Sequence, residues 1–172
     1  MTDDKKPTAD HASEAIALLR TTQQHHVQLS AMADQKAGFL VGSSVVLLGL
    51  VIGNLETSTS VALVMVGLTA LAALVLSIIA VIPRYTSAPI RGVKPNTLFF
   101  GVFAHIDEDE FIDGYLELLH DNENVRRAML RDIHQLGTAL NNKKFRYLSY
   151  AFRVALWGMV VSFGAAIVEF IA

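Results

Sequence analysis

Apolar residues gather into three long blocks, roughly residues 37–55, 59–82 and 148–172, and the sequence between them has ordinary polarity. Ser60 to Ile82 carries no charge over 23 residues. At ~1.5 Å per residue it reaches about 34 Å, enough to cross a hydrocarbon core of ~30 Å. The first block is rich in glycine, but Val45-Val46-Leu47-Leu48-Gly49-Leu50-Val51-Ile52 has the character of a span, and Asn54–Thr59 reads as a polar hairpin before the second. In the third, Arg153 lies near the start and Glu169 near the end, both placed to reach opposite interfaces and to leave Val154–Val168 as the apolar middle. Trp157 with Tyr147 and Tyr150 supplies interfacial aromatics at one end.

The polar stretches carry a helical period. Ala15, Leu19, Thr22, His26, Leu29 and Ala33 recur at alternating four- and three-residue steps, so an amphipathic helix is predicted from about Asp10 into span one. Asp107 with Glu110 forms a capping box, and Ile106 with Phe111 the matching hydrophobic staple, for a helix that buries Phe111, Tyr115, Leu118 and Leu119. After a break at His120-Asp121-Asn122, Val125, Met129, Ile133, Leu136 and Leu140 mark a further run continuing into span three. Pro83–Ile106, broken by Pro83, Pro89, Gly92 and Pro95, is expected to be an irregular loop. The expected fold is an all-α integral membrane protein. It has three transmembrane helices and a cytosolic helical bundle, built from extensions of helices one and three plus an inserted helix. Residues 1–9 are expected to be disordered and 10–172 to form a single unit, with the cytosolic region at 83–147.

Small residues sit at helical spacing in two spans: Gly38-x3-Gly42 and Gly49-x3-Gly53 in the first, Gly158-x3-Ser162 in the third. Such pairs let helix backbones approach closely in lipid, either within one chain or along a homo-oligomer seam.

Composition sharpens this picture. The chain of 172 residues is 52% hydrophobic and 17% charged, unlike a soluble domain. Its formal charge of −2 argues against nucleic acid as a partner. It has no cysteine, hence no disulfide, thiolate nucleophile or Cys-based zinc site. The acidic start, Met1-Thr2-Asp3-Asp4, lacks the basic region of a cleavable signal, so span one is expected to be retained. Of the 14 Lys and Arg residues, Lys5, Lys6, Arg20 and Lys36 precede span one and the rest lie between Arg84 and Arg153. This places the N-terminus and the 83–147 region in the cytoplasm and the C-terminus on the outer face. Asp34, Lys36, Arg153 and Trp157 are the expected membrane-interface residues.

Catalytic patterns are absent: there is no phosphate-binding glycine loop with its lysine, no Gly-x-Ser-x-Gly elbow and no His-Glu-x-x-His. His105, His120-Asp121 and Asp132 imitate the ligand order of metal-dependent phosphohydrolases, but about 30 residues cannot build the all-helical domain those ligands need. His25 and His26 point in different directions on a helix, and Asp107 to Glu110 fit the dipole of a helix start, so neither group reads as a metal site. A binding site is better founded. Arg91, Lys94, Asn96, Thr97, Phe99 and Phe100 bring cationic, amide and aromatic groups together; a nucleotide phosphate would meet the cations and a base would stack on a Phe. Basic residues just inside a membrane also meet anionic lipid.

Several segments resemble one family. Ala33-Asp34-Gln35-Lys36-Ala37 before span one, Asn96-Thr97-Leu98-Phe99-Phe100-Gly101 after span two, and Asp132 to Gly137 with Leu140, Lys143, Tyr147 and Tyr150 before span three are similar to the transmembrane effectors of Pycsar, a bacterial antiphage system. The resemblance covers about residues 12–171. It implies a non-enzymatic effector in the bacterial inner membrane, working as a homo-oligomer and needing no cofactor. Its activating ligand would be a cyclic pyrimidine mononucleotide (cCMP or cUMP) made by a partner cyclase, and its response abortive infection through loss of membrane integrity. A membrane anchor or scaffold that recruits a cytosolic protein fits the residues alone equally well. A reporter fused after Ala172 is expected to be active only on the outer face of the inner membrane, and a cytosolic signal would refute the three-span arrangement.

Overall fold

The computed structural model describes residues 9–55, 57, 60–82, 96 and 98–172, with side chains described throughout except at 9–12 and 100. The segment expected to be disordered at the N-terminus thus lies almost wholly outside the described residues, as does most of the loop after Pro83. The elements in order are α1 (Ala9–Asn54), α2 (Val61–Val81), α3 (Phe100–Phe103), α4 (Glu108–His120), α5 (Asn122–Ala139), a π-helical turn (Leu140–Phe145) and α6 (Arg146–Ile171), and no strand occurs among the described residues. Three of the helices are long and apolar enough to cross a membrane. The protein is an all-α, multi-pass membrane protein. Packing divides the chain into two compact units, Met1–Leu29 with Arg84–Thr138 and Ser30–Pro83 with Ala139–Ala172.

In the second, membrane unit, large side chains face outward and small ones face inward. Phe39, Val46, Leu50, Ile52, Leu68, Phe163 and Val168 are exposed, while the buried positions are Ala33, Ala37, Leu40, Ser44 and Val51 on α1, Ala62, Ala70, Ala73, Ser77 and Ala80 on α2, and Leu148, Ala151 and Ser162 on α6. That inversion is what lipid allows: Leu and Phe lose nothing against acyl chains, so helices associate where small residues let backbones meet. Ala33, Ala37, Ala80 and Leu148 form one cluster, and Leu40, Ala73 and Ala151 the next, with α1 parallel to α6 and α2 antiparallel to both. Buried hydroxyls bond within their own helix, Ser77 Oγ donating to the Ala73 carbonyl at 2.7 Å and Ser162 Oγ to that of Gly158 at 2.7 Å.

Gly158 lies on this seam, where a Cβ would overlap the Thr69 side chain, and a Cβ at Gly67 would meet Val51 at 3.1 Å. Gly38, Gly42, Gly49 and Gly53 differ: nothing lies within 4 Å of where their Cβ atoms would be. Within one chain, α1 packs through Ala33, Ala37, Leu40 and Ser44.

The ends of the spans are closed by side chains. Asn54 Nδ2 donates to the Leu50 carbonyl at the end of α1, and Ser60 Oγ caps α2 by accepting from Leu63 N at 3.1 Å. Glu169 Oε1 accepts from Val61 N at 2.6 Å, so a carboxylate on α6 satisfies an orphan donor of α2 and opposes its dipole. Sequence alone places Glu169 at an interface; its partner comes from the antiparallel packing of α2 and α6.

In the first unit Asp107 caps α4 as predicted, Oδ1 accepting from Asp109 N, and the Phe111 ring lies between Phe103 and Tyr115, with centroids 5.1 Å and 5.2 Å away. The break at Asp121 is a second cap, its Oδ1 accepting from Glu123 N at 3.0 Å. Three expectations are corrected. Leu119 is exposed, and Phe111, Tyr115 and Leu118 are half-buried, because the side of α4 that packs is narrow and centred on the 111/115/118 row. Leu29 is likewise exposed, and Ser30 takes the inward position, where Lys144 Nζ donates to its Oγ. Phe100–Phe103, expected within an irregular loop, is one turn of helix.

Gly158→Leu is expected to destabilise the membrane unit by about 1–3 kcal/mol through overpacking against Thr69. The measurement is the unfolding midpoint in detergent micelles, where Gly38→Ala serves as the near-neutral comparison.

Candidate functional site

Arg91, Lys94 and Thr97 lie outside the described residues, and of Phe100 only the backbone is described. Asn96 and Phe99 are placed in full, and their surroundings lie within the first unit.

Asn96 is buried, and both ends of its amide are engaged. Its Oδ1 accepts from Leu98 N at 3.0 Å, an Asx turn that a side-chain carbonyl two bonds from the backbone is built to make. Its Nδ2 donates to Asp132 Oδ1 at 2.7 Å. The backbone then winds up: the Asn96 carbonyl accepts from Phe99 N, and the Phe99 carbonyl from Val102 N and Phe103 N, which starts α3. Gly101 lets the Phe99 ring lie across that turn, since a Cβ there would fall 2.5 Å from Phe99 Cε1. The Asn96 to Gly101 run therefore has a local logic: a turn-forming amide, an aromatic ring and a residue without a side chain beneath the ring.

Asp132 on α5 is the hub. Its Oδ2 accepts from Gln23 Nε2 on α1 at 2.8 Å, while Oδ1 holds Asn96. One half-buried carboxylate thus ties the turn after the loop to two helices, and the two donors shown are neutral amides. Hydrogen bonds to a charged acceptor are worth about 1.5–3 kcal/mol each. Five residues on, α1 and α5 approach closely: a Cβ at Gly137 would lie 3.2 Å from His26 Nε2. His26 is consequently half-buried with its Nδ1 shielded and without a hydrogen bond, whereas His25 is exposed. The two point in different directions, as expected of neighbours on a helix, with His26 on the amphipathic stripe.

Sequence reasoning missed Gln23 and met Asp132 as part of an imitation metal set and of the Asp132–Gly137 segment that carries the family resemblance. Its spacing from Gln23 carries no signal, because the two are 109 residues apart and on different helices. Among the described residues no three of His, Asp or Glu gather in a way that could hold a metal ion, so His105, His120, Asp121 and Asp132 do not converge.

The interface residues are distributed as follows. Asp34 is ion-paired with Lys144 at 2.7 Å. Lys36, Arg153 and Trp157 are exposed on their helices. Ser162 is buried in the seam of the spans.

The profile of one protein family, described as the Pycsar effector protein domain, matches residues 17–170. No curated protein and no solved structure matches the chain.

Asp132→Ala would leave the buried Asn96 amide without its acceptor and is expected to destabilise the first unit by about 1–3 kcal/mol. Hydrogen exchange checks this, with protection falling at the Leu98 and Phe99 amides and unchanged around Ala73 and Ala151.

Proposed function

The chain belongs to the Pycsar effector family, and from that premise we propose that it senses a cyclic pyrimidine mononucleotide, cCMP or cUMP, on its cytosolic side and answers by impairing the inner membrane. Membership makes it a transmembrane effector of antiphage defence; the ligand and the mode of damage are the proposal.

The observation that carries the reading is the Asn96–Asp132–Gln23 network. Asn96 belongs to the proposed ligand segment and is fastened to α1, which runs on into span one, and to α5, which leads through the π-turn into α6. With its amide already engaged, Asn96 positions the segment. Ligand contact falls to Arg91 and Lys94 for the singly charged cyclic phosphate, to Thr97 for a polar edge, and to Phe99 and Phe100 for stacking on the base. A partner cyclase supplies the nucleotide.

A ligand acts only through different affinities for two states, so the resting and damaging forms must differ around this segment. Helices that run from the sensing segment into lipid provide the connection, and a homo-oligomer, with N-terminus and 83–147 cytoplasmic, is the assembly in which spans would open or disrupt the bilayer.

Calorimetry on the full chain in lipid nanodiscs tests the sensing step. We expect micromolar binding of cCMP or cUMP, with cAMP weaker, and a loss of roughly tenfold or more for Arg91→Ala, the effect of removing one charge-assisted contact. Failure of both pyrimidine nucleotides to bind at micromolar concentration would falsify the sensing half, leaving the anchor or scaffold reading.

A further inference from the structure

The helix that ends in span three is α-helical on both sides of Leu140–Phe145 and π-helical within it. π-turns are rare and arise where a helix must accommodate a wider turn than its hydrogen bonding prefers. Here the cause can be read from the side chains. Leu140 and Leu148 are both buried, and Lys144, midway between them, turns inward to α1. An α-helix carries the third of three positions at successive four-residue steps away from the first by roughly 80°, and a wider turn cuts that drift. The i→i+5 geometry of the π-turn keeps all three on one side.

What holds the turn is a polar clamp inside the membrane unit. Lys144 Nζ donates to Ser30 Oγ at 2.8 Å and to Asp34 Oδ2 at 2.7 Å, and lies 2.7 Å from Asp34 Oδ1 as well. The lysine side chain is only 18% exposed, so its charge depends on these acceptors for much of its solvation. The π-turn also packs against α2. Beyond it, α6 presents Leu148, Ala151 and Ser162 to the seam.

We propose that the π-turn and the Lys144–Asp34–Ser30 clamp form a register lock for span three. In the locked register, the one described above, the wider turn brings Leu148, Ala151 and Ser162 onto α1 and α2. Release of Lys144 removes the interaction that offsets the poorer π geometry, and the turn relaxes to α. Because one residue of α-helix corresponds to about 100° of rotation and 1.5 Å of rise, relaxation turns the small-residue face of α6 out of the seam and brings a larger, lipid-facing side chain in. The spans cannot pack closely in that register. This step rests on the effector reading for its consequence, membrane damage, but the lock itself is a property of α1, α2 and α6.

The test uses the full chain in cells, and the absence of native cysteine makes crosslinking clean. Ala73→Cys with Ala151→Cys, a pair within one packed cluster, is expected to form a disulfide readily in the locked register. Lys144→Met should lower that crosslinking by roughly tenfold, whereas removal of Asn142 takes the extra residue out of the π-turn, closes it to α with the flanking register kept, and should leave the crosslink intact. Lys144→Met should also admit a membrane-impermeant dye with no cyclase present, and the charge-swapped pair Asp34→Lys with Lys144→Asp should restore the crosslink. Unchanged crosslinking in Lys144→Met protein that reaches the membrane in normal amount overturns the lock, and should the Asn142 deletion fail to insert, Lys144→Met and the swapped pair decide alone. Wild-type cells given cCMP or cUMP report separately on the effector reading, since dye exclusion there leaves the crosslink result intact.

Discussion

Three apolar helices in lipid have no water to escape from, and this constraint shapes the whole membrane unit. A leucine moved from acyl chains to a helix interface gains little, so cohesion must come from close backbone approach and from polar ties. The chain meets both demands. Ala33, Ala37, Ala70, Ala73, Ala80 and Ala151 line the interior and the bulky residues are left outside, while polar ties fix the two ends: Glu169 on the first amide of α2 at one, and Lys144 on Asp34 and Ser30 at the other. A seam of alanines supplies close approach, and the end ties hold its register.

Much of this architecture was legible in the amino-acid sequence, because lipid imposes long uninterrupted apolar runs and amphipathic helices impose a period. The hairpin at Asn54, the cap at Asp107 and the break at Asp121 follow from local rules that need only a few neighbouring residues. Whatever depended on a partner distant in sequence was not legible. Gln23 and Asp132, Asp34 and Lys144, and Val61 and Glu169 are each more than a hundred residues apart. The glycine pairs of α1 show the limit of motif reading: spacing identified a face able to pack closely, and within the chain that face has no neighbour, since the alanine face beside it packs instead. The π-turn was hidden for another reason. Leu140, Lys144 and Leu148 look like an ordinary i, i+4, i+8 pattern, which an α-helix also accommodates on one face, so no periodicity announces the wider turn.

The two polar networks also explain why acidic and amide residues occupy helix positions that a purely amphipathic design would fill with leucine. Gln23 and Asp132 join α1 to α5 in one unit, and Asp34 joins α1 to the π-turn in the other; in both cases the partners of α1 lie on the helical run that ends in span three. Each tie has a partly or fully buried member, Lys144 in one and Asn96 in the other, so each is costly to leave half broken. That asymmetry suits a protein with two states, because small changes in geometry at such a tie produce large changes in free energy, whereas an alanine seam responds only weakly.

Under the proposed function, the placement of the ties becomes a constraint on mechanism. A ligand at the Asn96 segment has a hydrogen-bonded route into the helices through Asp132, whose carboxylate is shared between two donors. Drawing Asn96 toward a bound nucleotide would take the donor from Asp132 Oδ1 and leave the carboxylate to Gln23 at Oδ2, so ligand binding acts on the pairing of α1 with α5. The Lys144 clamp is the second place where α1 meets that helical run, and it holds the turn that sets the register of α6. Sensor and lock need no contact with each other in such a scheme; both are differences in how the same two helices pair.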